Sequence, residues 1–195
     1  MGKVRGLRLL AIAASFGLAG TSSVLADGEF VQFDFAPGAS TVVGSVVRGP
    51  IGVALGWSEY DSGSAFSANA TYSFGLPALG DGALLRVGPS VRLDQDKELD
   101  LGAKVVFERW SPTKWGGLFF LADYNTIQNE YLVLGELSHG LSGLNASFAA
   151  QGGDNGFREN TLVLGYLIPE SCVRLRLGYR FEAQQVLIGF SVNTF

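Results

Sequence analysis

Three arginines near the end of the chain have the residue type and the spacing to act together. Arg174, Arg176 and Arg180 occupy even-numbered positions of a segment whose odd-numbered positions are apolar or aromatic. Alternate side chains of a β-strand project from one face, about 7 Å apart for neighbours on that face. The spacing therefore predicts a row of cations on one face of a strand at 172–182, and such a row attracts anions.

The same alternation assigns further ionisable residues to the face that carries these arginines. The predicted members are Asp34, Arg86, Arg92, Asp100, Lys104, Glu108, Glu136, Glu159, Arg174, Arg176, Arg180 and Glu182. A predicted hairpin turn at 94–98 places Arg92 opposite Asp100, and we expect these two residues to form a cross-strand ion pair. Arg180 is expected to meet Glu159.

Arg174 and Arg176 differ from the other cations because no acidic neighbour is evident for them. Their expected neighbours on the next strand are Ser191 and Asn193. A buried cation without a partner is costly. We therefore expect either water around these two arginines or acids that reach them from a distance.

Other reactive residue types occur singly. His139 follows Ser138 in a predicted turn, and this neighbouring pair lacks the geometry of a hydrolytic triad. One histidine and one cysteine, Cys172, provide neither a metal cluster nor an intramolecular disulfide. The run from Gly152 to Gly156 is typical of a hairpin loop rather than of a phosphate-binding loop. The sequence thus predicts no catalytic residues, no metal site and no cofactor.

The first 26 residues predict an export signal rather than part of the fold. Three basic residues precede an apolar stretch shorter than the about 20 residues that a membrane-spanning helix needs. Small residues before position 27 predict cleavage after Ala26, which leaves one domain at 27–195. Removing three cations from the 14 Lys and Arg leaves 11 against 18 acidic residues, a formal charge of −7. That charge argues against nucleic acid as a partner.

The remaining chain consists of short alternating segments. About twelve are predicted, near 29–36, 41–48, 51–60, 65–76, 83–94, 98–110, 114–125, 130–139, 143–151, 157–168, 172–182 and 185–195. The phase is ambiguous at 41–48, 114–125 and 157–168, so ten strands is the alternative count. Although 47% of the residues are hydrophobic, no apolar run after Ala26 approaches the length of a membrane helix.

The polar face of these segments distinguishes a membrane barrel from a soluble sheet. It is mostly Gly, Ala, Ser and Asn, and such small residues suit the inside of a closed barrel. Segments of about nine to eleven residues match the length of a tilted transmembrane strand. The predicted fold class is an all-β, closed, antiparallel transmembrane β-barrel with short loops on both sides. The phase predicts that Trp57, Tyr72 and Val87 face lipid.

The final segment alternates to the end and closes on the aromatic residue Phe195. A chain with an export signal and such a last strand resembles bacterial outer-membrane β-barrel proteins. The resemblance implies an outer-membrane location with both termini in the periplasm, contact with outer-membrane lipids, and recognition of Phe195 by the barrel assembly machinery. Phe195 is odd-numbered, whereas the apolar Val186, Ile188 and Phe190 are even-numbered. Either a bulge shifts the final residues or the odd-numbered set faces lipid.

A barrel of eight strands is filled by its own side chains, and a barrel of sixteen strands encloses an aqueous channel. A barrel of twelve strands therefore has a lumen of intermediate width. The pattern is similar to that of small porins for oligosaccharide acids, which have arginine-lined lumens. This resemblance implies a narrow passive diffusion channel, biased toward small anionic solutes by Arg174, Arg176 and Arg180. The alternative is a structural or envelope-integrity barrel, plugged by its ion pairs and without transport.

Overall fold

The computed structural model describes residues 27–60, 63–96 and 98–195, so the predicted signal at 1–26 and its cleavage after Ala26 lie outside the described residues. The described residues form twelve β-strands. They are β1 (Gly28–Ala36), β2 (Ala39–Arg48), β3 (Ile51–Tyr60), β4 (Gly63–Gly75), β5 (Ala83–Asp94), β6 (Leu99–Thr113), β7 (Gly116–Asn125), β8 (Glu130–His139), β9 (Leu144–Gly152), β10 (Arg158–Leu167), β11 (Val173–Arg180) and β12 (Gln185–Asn193). Two short 3₁₀ turns, Pro77–Leu79 and Ile127–Asn129, lie in connections. Among the described residues, no helix has the length and apolarity needed to cross a membrane.

The sheet closes on itself. Each strand pairs antiparallel with its neighbours in sequence, and β1 pairs antiparallel with β12. Both ends of the described chain lie at one rim, here called the terminal end, and the opposite rim is called the far end. The predicted fold class and the count of twelve strands are confirmed, and the alternative count of ten is wrong.

The two faces of the barrel wall differ in character. Large apolar side chains face outward, and Trp57, Tyr72 and Val87 are all exposed there, as predicted. Small polar residues such as Ser73 and Ser147 are buried on the inner face. Because hydrocarbon offers no hydrogen-bond partners, an apolar outer face and a fully paired backbone are what a lipid environment requires.

Aromatic side chains on the outer face gather near both rims. Those near the far end are Trp57, Tyr124, Tyr131 and Tyr179, and those near the terminal end include Phe74 and Tyr166. Amphipathic rings favour the two membrane interfaces, so the two bands mark where the interfaces would lie.

Strands β4 and β5 approach each other closely near Gly88. Its neighbour Pro89 has no N–H to donate to the ladder. A Cβ atom at Gly88 would overlap the carbonyl oxygen of Ala70 on β4. This inward position therefore requires glycine.

The seam between β1 and β12 closes the barrel. Cα partners run from Phe30 with Asn193 to Phe35 with Ile188. On the outer face, Phe33 stacks on Phe190 across the seam, with ring centroids 4.8 Å apart. Aromatic stacking adds about 0.5–1.5 kcal/mol to the burial of such rings.

An ion pair crosses the inner face of the same seam. Asp34 on β1 accepts hydrogen bonds from Arg176 on β11, at 2.9 Å from Nε to Oδ1 and 3.1 Å from Nη2 to Oδ2. The contact passes over Gly189 of β12, where a Cβ atom would overlap the Asp34 carboxylate. A glycine on the middle strand thus lets two side chains meet across it.

The end of the chain explains the odd phase of Phe195. Val186 and Ile188 are exposed on the outer face, so the explanation in which the odd-numbered set faces lipid is wrong. The pairing of β12 with β11 is continuous and contains no bulge. The chain leaves the strand after Asn193, whose Oδ1 accepts the N–H of Phe195 at 2.9 Å. This turn lays the Phe195 ring beside Gly28 on β1.

We expect Gly88→Ala to lower the free energy of unfolding by about 1–3 kcal/mol, because the added methyl group overpacks against Ala70. Gly44→Ala is the matched control, since its Cβ atom would lie 3.9 Å from the nearest atom, the Phe30 carbonyl oxygen. The control should stay within about 0.5 kcal/mol of the wild type. Unfolding in detergent, followed by the mobility of unheated samples on gels, measures both; equal midpoints would contradict the close approach.

We expect Asp34→Asn and Arg176→Gln each to cost about 1–3 kcal/mol, because each leaves a largely buried polar group without its charged partner. The double variant should cost little more than the worse single variant. Glu29→Gln breaks the exposed pair with Arg48, whose side chains are 56% and 45% exposed, and should cost under about 0.5 kcal/mol. Additive losses in a double-mutant cycle would show that Asp34 and Arg176 are not coupled.

Candidate functional site in the lumen

Every predicted lining residue except Glu182 lies on a strand and faces the inside of the barrel. Six of them are cations, and each contacts a carboxylate in the described part of the chain. These cations are Arg86, Arg92, Lys104, Arg174, Arg176 and Arg180. The lumen wall therefore carries a set of ion pairs rather than a row of free cations.

Three of the pairs join adjacent strands. Arg86 on β5 donates to Glu108 on β6 through Nε at 2.9 Å and Nη2 at 2.5 Å. The Arg86 guanidinium also lies beside Gly52, whose Cβ atom would be 3.2 Å from it. On the next strand pair, Lys104 contacts Asp123 at 2.8 Å. These contacts run along the barrel wall because each pair joins two adjacent strands.

The third adjacent pair confirms an expected contact. Arg180 Nη2 lies 3.2 Å from Oε2 of Glu159 on β10. Glu159 is only 2% exposed and also accepts the N–H of Glu182 at 3.1 Å. Glu182 itself lies in the far-end connection after β11, where it accepts the backbone N–H of Asn160 at 2.5 Å. That hydrogen bond lowers the pKa of Glu182.

Of the two alternatives expected for Arg174 and Arg176, the structure has acids that reach them from a distance, and no carboxylate faces them on the adjacent strand β12. Arg176 binds Asp34 across the seam, and Arg174 Nη1 lies 3.4 Å from Oε1 of Glu136 on β8. Gly189, not Asn193, is the Cα partner of Arg176 on β12, so an open position faces the guanidinium.

Arg174 reaches its partner in a similar way. Its Cδ atom would be 2.9 Å from a Cβ atom on Gly165, the inward glycine of the neighbouring strand. Because Gly165 has no side chain, the arginine lies along the wall toward β9 and β8. Inward glycines on one strand therefore indicate where long side chains from the next strands lie.

The predicted pair of Arg92 with Asp100 is also wrong, although the two residues are Cα partners as expected. Arg92 Nε instead donates to Asp94 at 2.7 Å, and Nη1 contacts Glu130 on β8. Asp94 is two residues further along the same strand and so shares the inner face with Arg92. Two carboxylates on that side draw the guanidinium away from Asp100.

Sequence reasoning missed three acids of the inner wall, namely Asp94, Asp123 and Glu130. Asp123 lies on β7, one of the segments whose phase is ambiguous in the sequence. Asp94 and Glu130 are the terminal residues of the predicted segments 83–94 and 130–139, and the structure likewise places them at the end of β5 and the start of β8. Alternation would assign Asp123 to the inner face if the phase of β7 were known, and the pairing of β7 with its neighbouring strands supplies that phase.

Part of the inner wall is apolar. The inward positions of β6, β7 and β8 include Val106, Phe119, Leu121, Leu132 and Leu134. None of these side chains is among the exposed large hydrophobic residues of the described chain. The lumen thus has an apolar sector on three strands and charged sectors beside it.

The terminal mouth of the lumen contains a cavity of about 310 Å³. Arg174 lines it together with Ser191, Asn193 and Cys172. The Arg174 side chain is 24% exposed, although its Nε atom is itself buried and has no hydrogen-bond partner among the described residues. The described residues form eight ion pairs, of which the Arg174 contact is the longest, and Arg174 is also the most exposed of the inner-wall arginines.

The residues considered for catalysis lie apart from this site. His139 Nδ1 contacts the hydroxyl of Ser142 at 2.9 Å and accepts the backbone N–H of Ser142 at 3.3 Å. Ser138 instead faces inward and donates to the Gly117 carbonyl. His139 therefore caps a turn at the terminal end. The described residues hold no group of three or more His, Cys, Asp or Glu side chains able to bind a metal ion.

Comparison with known proteins gives structural neighbours but no sequence relatives. No family model matches the chain, and no curated protein matches it. The KdgM porin superposes with a TM-score of 0.58 at 10% identity, covering 86% of this chain and 99% of the porin. A second structure of that porin, described as a complex with disordered oligogalacturonate, gives 0.58 at 11% identity over the same shares. The NanC porin gives 0.54 at 12% identity, again over 86% and 99%.

Identities this low establish a shared fold and no more. The superpositions span almost the whole length of each porin, so the likeness covers the complete barrel rather than a few strands. The structural neighbours are channels and not enzymes. The chain therefore has the closed β-barrel fold of small porins, with an inner wall built of paired charges.

Proposed function

We propose that the chain is an outer-membrane barrel that acts as a narrow passive channel for small hydrophilic solutes. The observation that carries the proposal is the direction of the inner-wall ion pairs. All six cations find their partners on their own strand or within three strands around the wall. No ion pair among the described residues joins opposite sides of the barrel. Ion pairs confined to the wall support a lumen whose axis is open to water and solute.

We infer that any preference for anions comes from the positive charge of Arg174 alone. Other inner-wall cations are held close to carboxylates, and their charges are largely cancelled within a few ångströms. Arg174 has the longest ion-pair contact and the most exposed side chain of the inner-wall arginines, and it lines the terminal mouth. The KdgM porin is described with oligogalacturonate, a chain of sugar acids. A single uronic acid is therefore the appropriate probe anion.

The inner-wall acids limit the size of this bias. Eight carboxylates face inward against six cations: Asp34, Asp94, Asp100, Glu108, Asp123, Glu130, Glu136 and Glu159. All but Glu108 and Glu136 lie within two residues of the far end of their strands. We therefore propose an acidic far mouth and an anion-binding terminal mouth, which together give a modest preference.

The apolar sector of β6 to β8 favours a second candidate, a plugged structural barrel without transport. Side chains such as Phe119 and Leu134 occupy lumen volume without offering polar contacts to a solute. If they close the axis, the ion pairs have a purely structural role.

Liposome swelling distinguishes these candidates. We expect wild-type protein to admit a neutral hexose and a uronate of similar size well above the rate of protein-free vesicles. Arg174→Gln should lower the ratio of uronate to hexose entry about twofold, as expected for one water-screened charge. Arg158→Gln changes an exposed residue of the far rim and should leave the ratio unchanged. Absence of swelling by either sugar supports the plugged barrel, and an unchanged ratio in Arg174→Gln removes the anionic bias while leaving the channel.

We expect Glu136→Gln to have the opposite effect to Arg174→Gln. It removes the carboxylate that faces Arg174, so the guanidinium charge becomes more available to solutes. Reversal potentials across a planar bilayer in a potassium chloride gradient should shift toward anion preference in Glu136→Gln and toward cation preference in Arg174→Gln. Shifts in the same direction for both variants would contradict this assignment.

A further inference from the structure

A groove lies on the outer face of the barrel near the terminal end. Gly135 of β8 leaves an open position there, since no atom would lie within 4 Å of a Cβ atom on it. Leu118 and Phe120 of β7 and Leu137 of β8 border this gap and are 40%, 42% and 51% exposed. The groove has a volume of about 530 Å³. That volume is within the usual range of small-ligand sites, about 300–1,000 Å³.

Arg109 of β6 stands beside the groove. Its Cα partner is Phe120, which in turn pairs with Gly135, so the three residues form one row across the wall. Arg109 is exposed on the outer face, and it has no hydrogen bond or ion pair among the described residues. Its guanidinium extends toward the terminal rim, where a Cβ atom on Gly80 would lie 3.0 Å from Nη2.

The position of Arg109 near the terminal rim suits a cation that binds an anionic group of the lipid. Charges on the lipid-facing surface cost about 2–4 kcal/mol at the bilayer midplane and little at the interface. The outward residues of β7 and β8 include no carboxylate that could pair with Arg109. Asp81, in the β4–β5 connection next to Gly80, forms no ion pair with it. The guanidinium is therefore free to bind a phosphate oxygen, which Arg contacts with strong charge-assisted hydrogen bonds.

We propose that this surface is a binding site for one anionic phospholipid of the leaflet at the terminal end. The lipid phosphate binds Arg109 near Gly80, and one acyl chain lies in the groove over Gly135 between Leu118, Phe120 and Leu137. Lys114, exposed in the turn that joins β6 to β7, adds positive charge at the same rim. The site does not depend on transport through the lumen.

A second copy of the chain fits this surface less well. A symmetric contact through the groove would bring two Arg109 side chains toward one apolar surface without an acid to neutralise them. A phospholipid supplies both the charge and the flexible chain that the groove accepts.

Native mass spectrometry of detergent-solubilised protein titrated with phosphatidylglycerol tests the site. We expect wild-type protein to retain one lipid through detergent removal in the gas phase. Arg109→Gln should reduce retention about tenfold, the effect of one lost charge-assisted hydrogen bond. Arg109→Lys should restore part of it, and Arg158→Gln, an outward cation at the far rim, should have no effect. Gly135→Leu fills the groove and should reduce retention while Arg109 remains.

Variants are compared only after their unheated samples migrate as folded barrels on gels. Equal retention by Arg109→Gln and Arg158→Gln would show that phospholipid binds without a defined site and would overturn the proposal. Full retention by Gly135→Leu would overturn the acyl-chain position. Dimers in the wild-type spectrum that Gly135→Leu abolishes would assign the groove to a second copy instead. If Arg109→Gln does not fold, Arg109→Lys and Gly135→Leu still decide between these outcomes.

Discussion

The structure depends on complete pairing of strand edges. A strand edge in hydrocarbon would leave N–H and C=O groups without partners, at several kcal/mol for each group. Twelve antiparallel strands avoid this cost only because β1 meets β12 in continuous register. The seam carries contacts on both faces, with Phe33 on Phe190 outside and Asp34 with Arg176 inside. Closure also fixes which side chains face lipid and which face the lumen.

A second constraint is that many charged side chains need room on the inner wall of the barrel. Glycines on intervening strands provide the space. Gly189 lets Asp34 reach Arg176, and Gly165 lets Arg174 lie along the wall toward Glu136. Ion pairs that follow the wall satisfy the charges locally. The same use of a missing side chain appears outside, where Gly135 opens a groove beside Arg109, a cation without a partner among the described residues.

Most of the fold could be predicted from the sequence, because strand period and turn residues are local properties. The outward phase of Trp57 and Tyr72 follows from alternation, whereas the phase of the segments 41–48, 114–125 and 157–168 is ambiguous in the sequence. The partners of Arg174 and Arg176 could not be predicted, because each acid lies two or more strands away and is reached over a glycine. Arg92 shows the complementary limit: its opposite residue Asp100 was predicted correctly, but the flexible guanidinium chooses Asp94 and Glu130. The pairing register of the strands is therefore predictable from the sequence, whereas the direction of a long, flexible side chain is not.

We propose that ion pairs line the lumen without blocking it. Single-channel recording of wild-type protein in a planar bilayer tests that claim most directly, because current flows only through a continuous aqueous path. We expect discrete, stable conductance steps that scale with salt concentration. A folded barrel, verified by its gel mobility before insertion, that gives no conductance at any salt concentration would contradict the open lumen and leave the plugged structural barrel.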